Sequence, residues 1–126
     1  MIQENGLTLA YIGDAVYELK IREYLLSLGE QKVNDMHKNA IKYTCAKSQA
    51  DFIDSYLINL SATEEEIYKR GRNSGGTHKP KNASLNDYRK ATGFEALIGY
   101  LFLIKNEDRL NEIVTKSIEF LKEKNC

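Results

Sequence analysis

The sequence predicts an all-α domain, and three observations support that prediction. Apolar residues recur at the three- and four-residue spacing typical of helices, and no segment keeps the alternating pattern of a strand. The chain has 126 residues, 42% of them hydrophobic, which suits a single domain over residues 1–126 with one core. One proline and eight glycines exclude collagen-like and proline-rich chains.

The first two helices are predicted from their apolar faces. The stripe of the first helix consists of Leu9, Ile12, Val16 and Leu19. A second helix is predicted over residues 34–58, with Asn34 as its N-cap. The apolar positions of this second helix are Ile41, Cys45, Phe52 and Ile53.

Three further helices are predicted from their start signals. Thr-Glu-Glu-Glu at residues 63–66 resembles a capping box that opens a short helix ending near Arg70. Ser84 is a cap that leads into the apolar stretch 91–104, and Asn106 caps the last helix. The apolar stripe of the last helix consists of Leu110, Ile113, Val114, Ile118 and Leu121. We expect five or six helices and no internal repeat.

Charge and cysteine content exclude several classes of protein. The 18 basic and 18 acidic side chains cancel, so net charge marks neither a nucleic-acid nor a membrane binder. The apolar run 91–104 contains Glu95 and is too short to span a bilayer, and residues 1–6 lack a signal-peptide pattern. Two cysteines are too few for a disulfide scaffold, and no Cys/His spacing suits zinc. We expect a cytoplasmic domain.

Two carboxylates, Asp14 and Glu95, lie within apolar helical segments. Each has small neighbours, which allow helix backbones to approach closely and bring the two acids together. A buried carboxylate needs a cation or hydrogen-bond donors, and Mg²⁺ binds one or two carboxylates while keeping several waters. The alternative is a pair of ordinary acids at the edge of the core. Glu18, one turn after Asp14, either supports the site or belongs to a solvated face.

Residues 70–84 are predicted to form a non-helical basic loop. Between residues 69 and 90, seven basic side chains accompany a single acid, Asp87. Such clustering in a neutral chain favours contact with a polyanion such as RNA, although a solvated mobile loop is the alternative. The segment lacks the Gly-Lys-Ser/Thr of a Walker loop. The seven basic side chains between residues 69 and 90 are Lys69, Arg70, Arg72, Lys79, Lys81, Arg89 and Lys90.

Two motifs resemble those of a known family. Tyr-Ile-Gly-Asp-Ala-Val-Tyr-Glu-Leu at residues 11–19 resembles the signature of ribonuclease III catalytic domains. Phe-Glu-Ala-Leu-Ile-Gly-Tyr-Leu-Phe-Leu at residues 94–103 resembles that family's second motif. The segments 69–73, 80–82 and 46–50 look like the Mini-ribonuclease III branch, which lacks a double-stranded-RNA-binding domain.

The chain departs from the ribonuclease III pattern at two positions. The family's signature has Glu where this chain has Ala10, and its second motif has Asp where this chain has Thr92. Mini-ribonuclease III proteins look the same at both places, so the departures are compatible with an enzyme. With two of four carboxylates, more of the metal's coordination falls to water and RNA phosphate.

The resemblance implies a ribonuclease III endonuclease-domain helical fold and a homodimer, with Tyr11 at the interface. It implies an Mg²⁺-dependent endoribonuclease that cleaves double-stranded RNA to 5′-phosphate products, with Asp14 and Glu95 as catalytic metal ligands. The branch is similar to enzymes that mature the large-subunit (23S) ribosomal RNA precursor, sometimes with a ribosomal protein as partner. The expected RNA-binding residues are Arg70, Arg72, Asn73, His78, Lys79 and Lys81.

Two other functions remain open at the level of sequence. The first is a non-catalytic duplex-RNA-binding module of the same fold, associated with ribosomes; it would bind RNA without cleaving it in any divalent ion. The second is a helical interaction domain whose basic loop binds an acidic protein; it would not prefer duplex RNA over other polyanions.

Overall fold

The structure, a computed structural model, describes residues 4–75 and 80–124. These residues form six α-helices and one 3₁₀ turn, Leu57–Asn59, and strands are absent from the same ranges. The helices are α1 (Gly6–Ser27), α2 (Val33–Thr44), α3 (Ala46–Tyr56), α4 (Ala62–Ser74), α5 (Leu85–Leu103) and α6 (Glu107–Leu121). The all-α prediction is therefore confirmed. Within the described ranges, no helix has both the length and the apolar character needed to cross a bilayer.

Side-chain caps begin several helices, as local sequence signals predict. Ser84 Oγ accepts a hydrogen bond from the Asp87 amide at 3.0 Å, and Asn106 Oδ1 accepts one from the Arg109 amide at 3.2 Å. The capping box of α4 lies two residues earlier than predicted. It joins Ser61 and the first-turn Glu64, whereas we expected it to start at residue 63.

The single helix predicted over residues 34–58 is wrong, because the chain breaks at Cys45. That residue is extended, with φ −68° and ψ 154°, and separates α2 from α3. Side chains of α3 cap the end of α2: Ser48 Oγ donates to the Lys42 carbonyl at 2.6 Å, and Gln49 Nε2 donates to the Thr44 carbonyl at 3.3 Å. The break therefore leaves these terminal carbonyl groups satisfied.

The starts and faces of the first two helices also differ from the predictions. The N-cap of α2 is Lys32, and Asn34 lies inside its first turn. On α1, Leu19 is 57% exposed rather than part of the core. The buried residues of this helix include a series that repeats every four residues, Leu9, Gly13, Tyr17, Ile21 and Leu25, together with Gly6 and Ala10. A glycine in this face allows α5 to pack close to α1.

The non-helical segment begins later than predicted, because α4 continues to Ser74. Gly71 in its last turns is buried against α5, where a Cβ would lie 2.9 Å from the Cα of Gly93. Close packing on α5 therefore extends the helix through residues that a composition rich in glycine and polar side chains predicts as loop.

Helix α5 lies at the centre of the domain and packs against α1, α3, α4 and α6. The crossing with α1 is the tightest, because glycines meet backbone there. A methyl group at Gly13 would overlap the Glu95 carbonyl oxygen, and one at Gly99 would overlap the Leu9 carbonyl oxygen. This crossing places Asp14, the residue after Gly13, beside Glu95.

Two buried polar contacts tie the remaining helices to this centre. The Tyr17 hydroxyl donates to the Tyr43 carbonyl at 3.2 Å and lies 3.1 Å from Ser117 Oγ, which joins α1, α2 and α6. Arg109 of α6 binds Glu64 of α4 through two 2.9 Å hydrogen bonds. Because both arms of the guanidinium bind one carboxylate, this ion pair fixes α6 on α4.

Candidate active site

The structure brings the two predicted carboxylates together. Asp14 projects from α1 and Glu95 from the middle of α5, and their side chains hydrogen-bond to each other. Both line a cavity of about 380 Å³. Other residues on its wall are Leu7, Ala10, Tyr11, Thr44, Ala46, Gln49, Pro80, Tyr88, Ala91 and Thr92. The close approach predicted from small neighbouring residues is therefore present.

The environment of Glu95 favours its protonated form. Burial, followed by the carboxylates of Asp14 and Glu18, raises the pKa of Glu95 to about 8, against the effect of a hydrogen bond with Gln49. Near neutral pH, the protonated Glu95 carboxyl group therefore donates a hydrogen bond to Asp14. A divalent cation can replace that proton and bind both carboxylates.

Gln49 of α3 is the third polar group of this site, and the sequence predictions missed it. Its side chain is buried, with the residue 2% exposed, and it hydrogen-bonds both the Thr44 carbonyl and Glu95. Within residues 4–75 and 80–124, Gln49 Oε1 is the one buried side-chain polar atom without a hydrogen-bond partner. The available signal was a glutamine inside the branch-like segment Ala-Lys-Ser-Gln-Ala at residues 46–50.

The two departures from the family pattern face the same cavity. Ala10 adds no polar group, and the Thr92 hydroxyl donates to the Tyr88 carbonyl at 3.0 Å. Across the described part of the chain, no three His, Cys, Asp or Glu side chains cluster as a metal-binding set. The ligands available to a cation are two carboxylates, which fits a hydrated Mg²⁺ rather than a fully enclosed cation.

Glu18 lies at the edge of the site. It is partly exposed and pairs with Arg22 one turn further along α1, at 3.4 Å. Its carboxylate contributes to the raised pKa of Glu95. Glu18 therefore belongs to a solvated ion pair while its charge still acts on the site.

Part of the predicted RNA-binding set lies in a second, basic cleft between α4 and α5. Arg72 packs over the Tyr68 ring at 5.6 Å, and its Nε donates to Asn73 Oδ1 at 3.1 Å. The cleft has a volume of about 430 Å³. Its walls are formed by Arg72, Asn73, Gly75, Asn86, Arg89 and Lys90. Arg89 and Lys90 of α5 thus join the set through tertiary packing.

The other predicted RNA-binding residues are placed differently. Arg70 is directed away from the cleft toward the Glu66 carboxylate, at 3.5 Å, and the Glu4 carbonyl, at 3.3 Å. Lys81 is exposed in the turn that precedes α5. His78 and Lys79 lie outside the described residues.

An exposed apolar patch borders the carboxylate cavity. Tyr11 is 80% exposed and Leu7, one turn earlier on α1, is 49% exposed. Both also line the cavity. A surface tyrosine beside the site is the position at which the resemblance expects the dimer interface.

Comparisons with known proteins identify relatives of this chain. The ribonuclease III domain profile matches residues 7–106. Mini-ribonuclease 3 of Enterococcus faecalis is 48% identical over 125 residues, which cover 98% of this chain and 95% of the relative. Mini-ribonuclease 3 of Clostridium tetani is 46% identical over 122 residues, which cover 96% of this chain and 81% of the relative.

A solved structure shares the fold. An X-ray crystal structure of a Fusobacterium nucleatum protein aligns with a TM-score of 0.83 and 31% identity, covering 93% of each chain. The matched profile spans both motifs, from the first turns of α1 to the end of α5, and therefore includes Asp14 and Glu95. The chain therefore belongs to the ribonuclease III family of endoribonucleases, in its Mini-ribonuclease 3 branch.

Proposed function

We propose that this endoribonuclease cleaves double-stranded RNA at the Asp14–Glu95 cavity with Mg²⁺, and that it matures the large-subunit (23S) ribosomal RNA precursor. The observation that carries the proposal is the hydrogen-bonded pair of Asp14 and Glu95, whose side chains line one open cavity. Such a pair is poised to exchange its proton for a divalent cation. A cytoplasmic location, where ribosomal RNA precursors occur, is part of the proposal.

Asp14 and Glu95 would hold the cation. When bound, Mg²⁺ supplies positive charge to the phosphate oxygens and lowers the pKa of water, so that water can attack phosphorus. Glu95 would give up its proton to hold the cation, and its burial would limit exchange with bulk water. Gln49 keeps the Glu95 carboxylate oriented through its amide nitrogen. The family pattern implies products with 5′-phosphate and 3′-hydroxyl ends.

The basic cleft would bind the sugar-phosphate backbone. Arg72, Arg89 and Lys90 provide positive charge there, and Asn73 provides amide donors. Because the major groove of A-form RNA is too narrow to read, the duplex would be recognised by shape and by its 2′-hydroxyls. The proposed RNA-binding set also includes three further basic residues and one histidine: Arg70, Lys79, Lys81 and His78.

A homodimer through the Tyr11 patch is part of the same proposal. The exposed ring borders the carboxylate cavity, so a partner docked there would lie next to the site. Two active sites related by a two-fold axis suit cleavage of both strands of a duplex. The proposal includes a ribosomal protein as an additional partner that presents the precursor.

The direct test is cleavage of a long RNA duplex by the purified protein in Mg²⁺. Wild type is compared with an EDTA control and with Asp14→Asn and Glu95→Gln. Glu119→Gln, an exposed carboxylate of α6, is the matched control. We expect cleavage by wild type and Glu119→Gln alone.

Two results would contradict the proposal. Bound but uncut duplex in every divalent ion would favour the RNA-binding module, and cleavage by both site variants would place the chemistry elsewhere. The substrate assignment is tested separately with a 23S precursor transcript whose ends pair as a duplex. If that transcript stays intact while a generic duplex is cut, the ribosomal role is wrong.

A further inference from the structure

We propose that Gln49 is a positioning residue of the metal site, whose Oε1 accepts a hydrogen bond from the water shell of the cation bound by Asp14 and Glu95. The inference rests on the proposed function, since it requires that cation. It assigns a role to a residue that lies on a third helix, α3, and that carries no charge.

The orientation of the Gln49 amide follows from its neighbours. On one side are the Thr44 carbonyl, 3.3 Å from Nε2, and the Glu95 carboxyl group, which hydrogen-bonds Gln49. The Thr44 carbonyl accepts from Nε2, and the Gln49 hydrogen bond lowers the pKa of Glu95, so Gln49 is the donor there too and the amide nitrogen, with its two hydrogens, faces both groups. The amide oxygen consequently points away from both.

That oxygen lacks a donor in the described part of the protein. Gln49 is 2% exposed, and Oε1 is buried and unpartnered. A buried acceptor without a partner is unfavourable, so such a group in a native protein calls for a donor from solvent or ligand. Since Gln49 lines the carboxylate cavity, the missing donor would enter through that cavity.

A hydrated cation supplies that kind of donor. Mg²⁺ bound by one or two carboxylates keeps several waters, and each of these waters donates hydrogen bonds. The neighbouring Thr92 hydroxyl already donates to Tyr88, and Ala10 is apolar. Gln49 Oε1 is therefore a buried acceptor of a cavity-lining residue that has no hydrogen-bond partner within the described residues.

The backbone holds Gln49 firmly in this position. Its amide donates to the Cys45 carbonyl at 3.1 Å, which starts α3, and the adjacent Ser48 caps α2. The side chain therefore projects from the rigid first turn of a helix that packs on α5. A preorganised acceptor loses little conformational freedom when the cation binds.

The test is Mn²⁺ affinity, measured by electron paramagnetic resonance in the absence of RNA. Gln49→Met keeps side-chain length but removes the oxygen, and we expect affinity to fall about 10- to 100-fold, as for other groups that orient metal ligands. Gln49→Glu keeps an oxygen acceptor and adds charge, so we expect affinity equal to or above wild type. Thr92→Val, on the same cavity wall, is the matched control and should stay within about twofold.

A second readout covers the case in which a variant folds poorly. Without metal, Gln49→Glu places a third carboxylate beside Glu95 and Asp14, so its melting temperature should fall. Mn²⁺ relieves that repulsion and should raise the melting temperature of Gln49→Glu more than that of wild type. Circular dichroism before each titration identifies an unfolded sample, and the Gln49→Glu shift then carries the test.

The outcomes separate this inference from the proposed function. If wild type binds Mn²⁺ and Asp14→Asn does not, the metal site stands; unchanged affinity of Gln49→Met then overturns the role of Gln49 alone. Equal losses in Gln49→Met and Gln49→Glu would also overturn it, because both variants lack the amide nitrogen that orients Glu95, and the effect would then belong to that nitrogen rather than to Oε1. If wild type does not bind Mn²⁺, or Asp14→Asn binds it normally, the proposed metal site and this inference both fail.

Discussion

Gly13 of α1 packs directly on the backbone of Glu95 in α5, so closely that a methyl group at Gly13 would overlap the Glu95 carbonyl oxygen. The next residue in α1 is Asp14, whose side chain hydrogen-bonds that of Glu95. The absence of a side chain at residue 13 therefore sets the distance between the two carboxylates. Folding and the site depend on the same contact.

Gly13→Ala is expected to destabilise the protein by about 3 kcal/mol, because the overlap is with backbone that cannot rotate away. Urea unfolding at neutral pH measures the change. Gly75→Ala is the control: that residue has φ −83° and no atom within 4 Å of an added Cβ. Its stability should change by less than about 1 kcal/mol. Equal effects of the two variants would contradict the tight crossing.

The stability of the metal-free protein is expected to fall as pH rises. The folded state keeps the Glu95 proton up to a pKa of about 8, whereas the ordinary value is 4.5. The stabilisation from this proton is complete below pH 4.5 and is lost as pH rises through 8, at no more than about 1.4 kcal/mol per pH unit.

Urea unfolding in EDTA between pH 5 and 8 tests this dependence. Glu95→Gln cannot ionise, so its free energy of unfolding should decline less steeply than that of wild type. Glu119→Gln, on the exposed face of α6, should retain the wild-type slope. Parallel pH profiles for wild type and Glu95→Gln would show that Glu95 is not the group responsible.

Arg109→Leu is expected to destabilise the protein by about 3 kcal/mol, because it leaves a carboxylate that is 8% exposed without its cation. Burial would raise the pKa of Glu64, but hydrogen bonds from Arg109 and Ser61 hold it below its ordinary value. Adding Glu64→Leu should restore much of the loss. Thermal unfolding of the single and the double variant measures both changes. A loss of unfolding free energy below about 1 kcal/mol in Arg109→Leu would contradict a strong Arg109–Glu64 ion pair.

Neutralising four basic residues should raise KM for duplex RNA more than it lowers kcat, because charge on the backbone-binding surface contributes mainly to affinity. The substitutions convert Arg70, Arg72, Lys79 and Lys81 to glutamine. Steady-state cleavage at two salt concentrations gives KM and kcat at each. The dependence of KM on salt should be weaker in the fourfold variant than in wild type. Lys116→Gln on α6 is the control, and an unchanged KM in the fourfold variant would remove these residues from substrate binding.

Tyr11→Asp is expected to convert a dimer into a monomer, because it places a charge in the exposed apolar patch that we assign to the interface. Light scattering coupled to size-exclusion chromatography gives the mass. Ile58→Asp, at a side chain that is 91% exposed on the 3₁₀ turn, should leave the mass unchanged. A wild-type monomer at micromolar concentration would rule out the proposed dimer.

Local signals in the sequence predicted what is local in the fold. Ser84 and Asn106 cap helices as expected, because such a cap involves only an amide three residues away. Other predictions were wrong because long-range packing decides the structure at those positions. The break at Cys45 is stabilised by α3 side chains on α2 carbonyls, and Gly71 stays helical because it meets α5.

The sequence by itself determined the helical class, the family and the identity of the two acids, because periodicity, caps and motif spacing are properties of the chain. Only the tertiary structure decided that Asp14 and Glu95 hydrogen-bond to each other, since their contact depends on how two glycines let α1 cross α5. It also decided that Gln49 joins them. No sequence pattern links this uncharged residue of a third helix to the two acids. Its proximity to them arises only when the helices pack.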